Sequence, residues 1–415
     1  MRRVVVTGMG GVTPLGNSWP EIEAALHAKE NAVRHIEEWD RIETLHTKLG
    51  VPVLDFNVPS YYPRKMLRSM GRVALLSVRA TELALADSGL LDDLNIQDGR
   101  MGVAYGSSFG SVEPVKAFGK FLDTGIMEGM ASTGYIQVMS HTAAVNIALF
   151  FKLRGRVIPA CSACTSGSQA IGFAYESIRF GRQTMMVAGG SDELSPSTAA
   201  VFDNLYATSQ RNDTPQLTPR PFDRRRDGLV VGEGAASLVL EELEHARRRG
   251  VRIYAEVVGF GCNSDGAHIT QPEAKTMAVA MNLALEDAGL TPDAISWVNA
   301  HGTATEHGDI AESHATQEVF KRRVPASSLK SYFGHTLGAC GAIEAWLGIE
   351  MMRRGWVAPT INLDEVDPRC GDLGYIRGDG ADMQMEYFMS NNFAFGGINT
   401  SLIFRRYDST EGGAG

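Results

Sequence analysis

The chain has 415 residues, of which 44% are hydrophobic and 21% charged, and its formal net charge is −9. This composition is that of a globular protein with enough chain for a large core, and the acidic balance argues against a general nucleic-acid binder. The 5 cysteines are too sparse for a secreted disulfide scaffold. No run reaches the roughly 18 apolar residues that a membrane-spanning helix needs, so we expect a cytoplasmic protein with no membrane or nucleic-acid partner.

Short apolar segments alternate with amphipathic helical segments from the N-terminus onward. The apolar segments are rich in Val, Met and aromatic residues and are bounded by Gly or polar residues, which is typical of buried strands. Examples are RVVVTG (3–8), QTMMVAGG (183–190), AASLVLEE (235–242) and YFMSNN (387–392). This alternation predicts an α/β fold with buried sheets.

Four short segments of the chain recur in similar form, and in the same order, later in the sequence. The matched pairs are LALADSGL (83–90) with LALEDAGL (283–290), MGVAYGS (101–107) with ISWVNAHGT (295–303), CTSG (164–167) with HTLG (335–338), and ASLVLEE (236–242) with TSLIFRR (400–406). Such self-similarity indicates a duplication. We therefore predict two homologous α/β halves, roughly 1–245 and 250–407.

Two segments lie outside this repeat. Residues 110–140 have no counterpart in the second half, and we expect them to cap a pocket or to form part of a subunit interface. Residues 408–415 are small and polar, which predicts a flexible tail.

Cys164 is the first candidate for chemistry. It lies in VIPACSACTSGSQAIG (157–172), which reads as a buried strand followed by the start of a helix. The positive end of a helix dipole and its unpaired N–H groups favour the thiolate, which is the nucleophilic form. Cys161 and Cys164 also form a CxxC pair, but no second pair or spaced histidines accompany it, so a metal or redox site is the weaker interpretation.

Two histidines lie in similar Gly-rich segments, His301 in NAHGTAT and His335 in KSYFGHTLGACG. If a carbanion attacks a thioester on Cys164, decarboxylation of a malonyl group can supply it, and two imidazole N–H groups can stabilise the enolate oxygen. Lys330 and Glu344 flank His335 along the chain. Either they tune this site or they form a plain ion pair, and the sequence leaves both open.

These motifs together resemble those of a known family. SACTSG, NAHGTAT, LKSYFGHTLGA and NNFAFGGIN occur in the order and at the spacing of the elongating β-ketoacyl-acyl carrier protein synthases, types I and II, of the thiolase superfamily. The resemblance implies a thiolase-like fold, with two βαβαβαββ halves in a five-layer α-β-α-β-α sandwich, and a homodimer.

The resemblance also implies roles for single residues. Cys164 would be the acylated nucleophile, His301 and His335 the pair that drives malonyl decarboxylation and condensation, and Lys330 the active-site lysine. The backbone N–H groups of Cys164 and Phe395 would form the oxyanion hole, with Phe395 also acting as a gate. The remaining implied sites are a supporting network (Glu344, Asp309), an acyl pocket (Phe109, Phe393) and a carrier-docking segment (Arg64, Lys65, Arg68, Arg72).

The implied partners are acyl carrier protein and its acyl and malonyl thioesters, with no metal and no cofactor beyond the carrier's phosphopantetheine. Phe109 is large for its position, which predicts a shortened acyl tunnel. Ala394 and Ile398 replace the family's usual Gly and Thr beside the gate. The resemblance implies decarboxylative condensation of a Cys-bound acyl chain with malonyl carrier protein in fatty acid biosynthesis. These departures lean slightly towards the alternative, a ketosynthase of a specialised polyketide or aryl polyene pathway.

Three further alternatives fit less well. A non-catalytic chain-length partner would lack the nucleophile, whereas Cys164 is present. A thiolase would use a second cysteine as base, and Cys340 lies instead in a small-residue helix start. A starter-type synthase uses Cys, His and Asn, whereas both histidine motifs here carry His.

Overall fold

The computed structural model describes residues 1–408, and a mixed sheet of 11 strands lies at its centre. The strands of the described residues are Val4–Val12 (β1), Arg34–His35 (β2), Leu49–Gly50 (β3), Met101–Gly106 (β4), Val157–Ala160 (β5), Met185–Asp192 (β6), Gly234–Glu242 (β7), Ala255–Ser264 (β8), Ile295–Asn299 (β9), Pro325–Ser327 (β10), Trp356–Val357 (β11), Gly374–Tyr375 (β12), Ala381–Asp382 (β13), Tyr387–Ala394 (β14) and Ile398–Arg406 (β15). Two short pairs, β2 with β3 and β11 with β13, lie outside the sheet of 11 strands.

The α-helices alternate with these strands. They are Trp19–Ala28 (α1), Arg64–Leu67 (α2), Arg72–Asp87 (α3), Glu113–Thr124 (α4), Ser132–Val138 (α5), Thr142–Phe150 (α6), Ser166–Arg179 (α7), Pro196–Asp203 (α8), Leu243–Arg249 (α9), Ala274–Ala288 (α10), Glu306–Phe320 (α11), Lys330–Phe333 (α12) and Cys340–Arg354 (α13).

The two halves of the chain contribute strands in the same order. The first half runs β5-β4-β6-β7-β1 and the second runs β10-β9-β14-β15-β8, with β12 outside β10. In each half the last strand, β7 or β15, is antiparallel to both of its neighbours, while the three strands beyond it are parallel. The halves join where β1 pairs with β8 over Val4–Val6.

Helices cover both faces of each half. α3 and α6 pack on the outer face of the first half, and α10 packs with α11 on the outer face of the second. α7 and α13 pack against each other and contact strands of both halves, so they form a shared middle layer. α13 is accordingly buried on all sides from residue 340 to residue 352. This arrangement confirms the predicted five-layer α-β-α-β-α fold.

Two equivalent 3-10 turns lead into the middle helices. Ala163–Thr165 precedes α7, and Leu337–Ala339 precedes α13. The first residue of each turn has left-handed backbone, with φ of 50° at Ala163 and 51° at Leu337. The counterpart of Cys164 is therefore Gly338 rather than His335, so the predicted match of CTSG with HTLG is wrong by three residues. Short Gly-containing segments can be aligned with one another in several registers, and only the backbone geometry of the two turns shows which residues are equivalent.

The unmatched segment 110–140 contains α4, α5 and their connections. No residue of α4 is buried, and no residue of the segment lines the main cavity, so the segment does not cap that cavity within one chain. The predicted tail falls outside the described residues from position 409 onward. Within residues 1–408 we find no helix that is both long and apolar enough to span a membrane.

Candidate active site

Cys164 lies in the turn before α7 and is 5% exposed. Its Sγ is 2.9 Å from Nε2 of His335, and its carbonyl oxygen accepts a hydrogen bond of 3.2 Å from Sγ of Cys340. The predicted nucleophile in the first half thus lies against a histidine of the second half. Between the two halves, α7 and α13 bring these residues together.

The thiol is not the low-pKa group that its place at a helix start predicts. Burial raises the pKa of Cys164 to about 11, although the Lys330 ammonium and the backbone N–H groups of Phe395 and Cys164 oppose this shift. Desolvation therefore outweighs the favourable dipoles, and the resting thiol is protonated at neutral pH. The two N–H groups that favour the thiolate are nevertheless the ones predicted to form the oxyanion hole.

His335 is held in one tautomer by the turn that follows it. Its Nδ1 accepts a hydrogen bond of 3.3 Å from the backbone N–H of Leu337. A neutral ring that accepts at Nδ1 carries its proton on Nε2. The Nε2–H group of His335 therefore points at the sulfur of Cys164.

His301 follows β9, and a buried carboxylate fixes its loop. Glu312 of α11 accepts hydrogen bonds from the backbone N–H groups of His301 (2.6 Å) and Gly302 (2.7 Å). Burial raises the pKa of Glu312 to about 8. The rings of His301 and His335 meet edge to face, with 5.2 Å between their centroids.

Both histidines are neutral. Burial lowers the pKa of each well below its usual range, and the Lys330 ammonium adds to this effect. Lys330 itself pairs with Glu344, whose carboxylate lies 2.5 Å from Nζ. Both partners of this pair are buried, so the predicted network residue and the active-site lysine do meet.

Cys164, His301 and His335 are also close enough to hold a metal ion, since their ligand atoms lie within 4.8 Å of one another. A histidine that binds metal usually donates its other N–H group to an acceptor. Here Nδ1 of His335 faces the N–H of Leu337, and Nδ1 of His301 lies 3.4 Å from the amide nitrogen of Asn392. Both outer partners are donors, which leaves the Nε2 atoms protonated and directed inward.

A cavity of about 1000 Å³ opens beside these residues. Its walls include Cys164, His301, His335, Phe393, Phe395 and Phe202. Phe395 lies in the turn between β14 and β15 and stacks on Phe202, with ring centroids 5.1 Å apart. The cavity thus has the predicted gate residue at its wall, and the predicted pocket residue Phe393 is buried there.

Phe109 does not line this cavity. It follows β4 in a loop that Gly110 turns with φ of 105°, and its side chain is 46% exposed. The expected narrowing of the acyl tunnel by Phe109 therefore does not occur within one chain. The reason is that the loop directs this ring outward beside the exposed edge strand β5.

Three residues that sequence reasoning missed hold the site together. Asp192 at the end of β6 accepts hydrogen bonds from the Ser107 hydroxyl, the Ser108 N–H and the Gly338 N–H, so it joins the two halves. The other two are Glu312 and Asn392. Asp192 and Glu312 lie in none of the motifs quoted above. Asn392 lies in NNFAFGGIN, but no role was predicted for it.

Asp309 is buried and supports the loop after His301. It accepts hydrogen bonds from the backbone N–H groups of Phe222 and Ala304 and pairs with Arg226 at 3.5 Å. Burial raises the pKa of Asp309 to about 6. Its contacts are with the loop rather than with Cys164 or the histidines.

The predicted docking residues divide into two groups. Arg64, Lys65 and Arg68 are exposed on and beside α2. Arg72 instead makes a two-point ion pair with the buried carboxylate of Glu233, with both contacts at 2.7 Å. The guanidinium of Arg72 is thus occupied within the chain, and the residue is structural rather than free for docking.

Comparison with known proteins gives one family. Residues 1–246 match the β-ketoacyl synthase N-terminal domain, and residues 254–364 match the β-ketoacyl synthase C-terminal domain. The 3-oxoacyl-[acyl-carrier-protein] synthase 2 of Vibrio cholerae is 40% identical over 98% of this chain and 99% of that protein.

Comparison with solved structures gives the same family. A β-ketoacyl synthase from Burkholderia phymatum STM815 is 65% identical, with a TM-score of 0.97 over 98% of this chain and all of that one. A type II polyketide synthase acyl-carrier protein in complex with its ketosynthase gives 31% identity and a TM-score of 0.87, over 98% of this chain and 100% of the matched one.

Proposed function

This chain belongs to the β-ketoacyl synthase family and is a condensing acyltransferase, and we propose that Cys164 carries its acyl chain while His301 and His335 activate the malonyl donor. The observation that carries this proposal is the contact of 2.9 Å between Sγ of Cys164 and Nε2 of His335. It joins a nucleophile and a donor within a cavity that can receive a long substrate.

In the first half-reaction the acyl chain moves from the carrier's phosphopantetheine to Cys164. The sulfur attacks the thioester carbonyl, the carbonyl oxygen becomes an oxyanion, and the N–H groups of Cys164 and Phe395 stabilise it. The bond to the phosphopantetheine sulfur then breaks, and that sulfur leaves with the proton of the Cys164 thiol. The products are an acyl-enzyme thioester and the free carrier thiol.

In the second half-reaction malonyl carrier protein enters the emptied site. The bond to its carboxylate breaks, carbon dioxide leaves, and the electron pair forms an enolate whose oxygen accepts hydrogen bonds from Nε2–H of His301 and His335. The carbanion attacks the acyl carbonyl on Cys164, and the sulfur leaves and regains a proton. The product is a β-ketoacyl carrier protein.

Neutral histidines suit this role better than charged ones. A neutral N–H donor stabilises an enolate without giving up its proton, so the carbanion is not quenched before it attacks. Burial and the nearby Lys330 ammonium both lower the pKa values of His301 and His335, which supports this assignment. Two donors at Nε2 also leave no lone pair for a metal, so we propose a reaction without metal or organic cofactor, apart from the carrier's phosphopantetheine.

The carrier protein is the proposed partner. Acyl carrier proteins are acidic, and this chain has a net charge of −9, so docking requires a local basic surface. The exposed side chains of Arg64, Lys65 and Arg68 supply it. The carrier complex formed by a 31% identical ketosynthase supports this proposal.

The proposed assembly is a homodimer that pairs through β5. This strand is at the edge of the sheet, and Val157 and Pro159 on it are exposed. Bare edges of sheets are sites of strand pairing between chains. Phe109 lies close by, since Ser108 contacts Cys161 just after β5, and a dimer would therefore bury Phe109.

The proposal is tested by intact-protein mass after mixing the enzyme with acyl carrier proteins of graded chain length, without malonyl donor. We expect a mass gain of one acyl group that is lost in Cys164→Ala and kept in Cys161→Ala, a nearby cysteine that is exposed. Acceptance of ordinary saturated chains indicates fatty acid synthesis, and selective acceptance of polyene chains indicates a specialised pathway. No gain with any chain would contradict the proposal.

A further inference from the structure

Asn392 connects His301 to the buried ion pair of Lys330 and Glu344. Its amide nitrogen donates a hydrogen bond of 2.7 Å to Oε2 of Glu344 and lies 3.4 Å from Nδ1 of His301. The other oxygen of Glu344 accepts from Lys330. A chain of contacts thus runs from the ammonium group to the imidazole ring.

The orientation of this amide is fixed by charge. If the Asn392 amide were turned over, its oxygen would face the Glu344 carboxylate, and two acceptors would meet at hydrogen-bond distance. The nitrogen therefore faces Glu344. Its second hydrogen is then shared between Nδ1 of His301, 3.4 Å away, and Sγ of Cys340, 3.6 Å away, and the imidazole nitrogen is the stronger acceptor of the two.

The oxygen of the same amide has no hydrogen-bond partner among the described residues. A buried polar atom without a partner costs stability, and a turned-over amide would not relieve this cost without opposing Glu344. The amide oxygen of Asn392 thus stays unpaired, while the amide nitrogen keeps its contacts with Glu344, His301 and Cys340. The amide nitrogen of Asn392, rather than its oxygen, therefore makes the contacts with the site.

From these contacts we propose that Asn392 is a positioning residue that holds His301 in the tautomer with its proton on Nε2. Different hydrogen-bond partners then keep the proton on Nε2 in the two histidines. His335 is fixed by a backbone N–H group, that of Leu337, whereas His301 depends on a side chain that a mutation can remove. The consequence for catalysis rests on the proposed role of His301, but the tautomer itself is a property of the resting enzyme.

The neighbouring Asn391 offers a matched control. Successive side chains of a strand point to opposite faces, so Asn391 on β14 does not share the face on which Asn392 meets Glu344. Its side chain is buried, and neither of its polar atoms has a partner among the described residues. Asn391→Ala therefore removes the same group from the same strand without removing a side-chain hydrogen bond to His301 or Glu344.

The experiment combines an NMR spectrum, which reports the tautomer of each histidine, with separate assays of malonyl decarboxylation and Cys164 acylation. Long-range ¹H–¹⁵N correlation of ¹⁵N-histidine-labelled enzyme reports which nitrogen of each neutral ring is protonated, and the His301→Ala variant identifies the signals of His301. We expect the Nε2–H form for both histidines in the wild type. In Asn392→Ala we expect His301 to become a mixture of tautomers, while His335 keeps its form.

The two half-reactions should also respond differently to the loss of the Asn392 amide. In Asn392→Ala we expect malonyl decarboxylation to fall by about 10-fold, as for loss of one supporting hydrogen bond, and acylation of Cys164 to stay within about twofold. Asn392→Ser keeps one donor and should lie between, and it also serves if Asn392→Ala does not fold. Asn391→Ala should match the wild type in spectrum and rates.

A wild-type His301 protonated on Nδ1 would overturn the inference, as would an unchanged tautomer and decarboxylation rate in Asn392→Ala. An equal loss in Asn391→Ala would also overturn it, because the effect would then belong to the strand. A failure of the proposed function is distinguishable: it would appear as absent acylation or decarboxylation in the wild type, whatever the histidine spectrum shows.

Discussion

The turn at Ala163–Thr165 and the turn at Leu337–Ala339 have the same backbone and different chemistry. The first presents the Cys164 thiol to the cavity. The second has Gly338 at that position, where a Cβ would lie 2.7 Å from Oδ2 of Asp192 and 2.8 Å from the N–H of Ser108. The second turn is thus packed too tightly for any side chain.

This difference explains how the duplicated halves share one site. Because Gly338 has no side chain, its turn packs flush against the first half, and its N–H group bonds to Asp192 at 2.6 Å. His335, three residues earlier, then reaches the sulfur of Cys164. The first half has the proposed nucleophile, Cys164, at this position of the turn. The second half has Gly338 there and supplies both histidines.

The largest expected effect separates the two histidines. His301→Ala should lower malonyl decarboxylation by about 100-fold to 1000-fold, as expected for loss of an oxyanion donor, and should leave acylation of Cys164 nearly intact. His335→Ala should reduce both steps, because its Nε2 also contacts Sγ of Cys164. Carbon dioxide release and acyl-enzyme mass measure the two steps separately. Equal profiles for the two variants would contradict the division of roles.

The close packing of the second turn predicts a loss of stability. Gly338→Ala should lower the free energy of unfolding by about 2–3 kcal/mol, because the new methyl group meets backbone and a buried carboxylate. Gly119→Ala in α4 is the control: a Cβ there meets nothing within 4 Å, and we expect a gain of about 0.5–1 kcal/mol. Urea titrations measure both. A neutral Gly338→Ala would show that the turn has room.

Burial of Cys164, the proposed nucleophile, predicts an unusual pH profile for its alkylation. Because the pKa of Cys164 is raised to about 11, above its ordinary value of about 8.5, the thiolate fraction should keep rising with pH beyond 9. Alkylation by iodoacetamide should therefore accelerate about tenfold per pH unit and level off near 11. Alkylation of Cys164 in the urea-unfolded enzyme, read by peptide mass, should level off at about pH 8.5. A plateau near neutral pH in the folded enzyme would contradict the desolvation argument.

The smallest expected effect concerns the basic segment around α2. Lys65→Ala with Arg68→Ala should raise the KM for carrier protein by about threefold to tenfold at low salt and leave the melting temperature unchanged. Arg72→Ala should instead destabilise the chain by about 2 kcal/mol, since it leaves the buried Glu233 without its partner. Carrier titrations and thermal melts test the contrast. An Arg72→Ala variant with a raised KM and normal stability would restore the docking interpretation.

The sequence predicted what depends on local pattern. Alternating strands and helices, the duplication, and the motifs around Cys164, His301 and His335 are all readable along the chain, and the structure brings these three residues together. The pairing of Lys330 with Glu344 was left open, because a spacing of 14 residues does not say which way two helices face.

Other features could not be predicted from the sequence, because they depend on contacts between segments that are far apart along the chain. Asp192 and Gly338 are 146 residues apart, and nothing local to either indicates the contact. The pKa of Cys164 was predicted in the wrong direction because a helix start is visible in sequence, whereas complete desolvation is a property of the packed halves. Phe109 was assigned to the pocket by its position in a motif, whereas the loop at Gly110 places it outside the cavity of a single chain.

The most direct test of the divided site uses two variants and two readouts. Cys164→Ala should still release carbon dioxide from malonyl carrier protein but form no acyl-enzyme. His301→Ala should form the acyl-enzyme but release little carbon dioxide. Loss of both activities in both variants would contradict the account, because the nucleophile and the decarboxylating pair would then act as one inseparable unit.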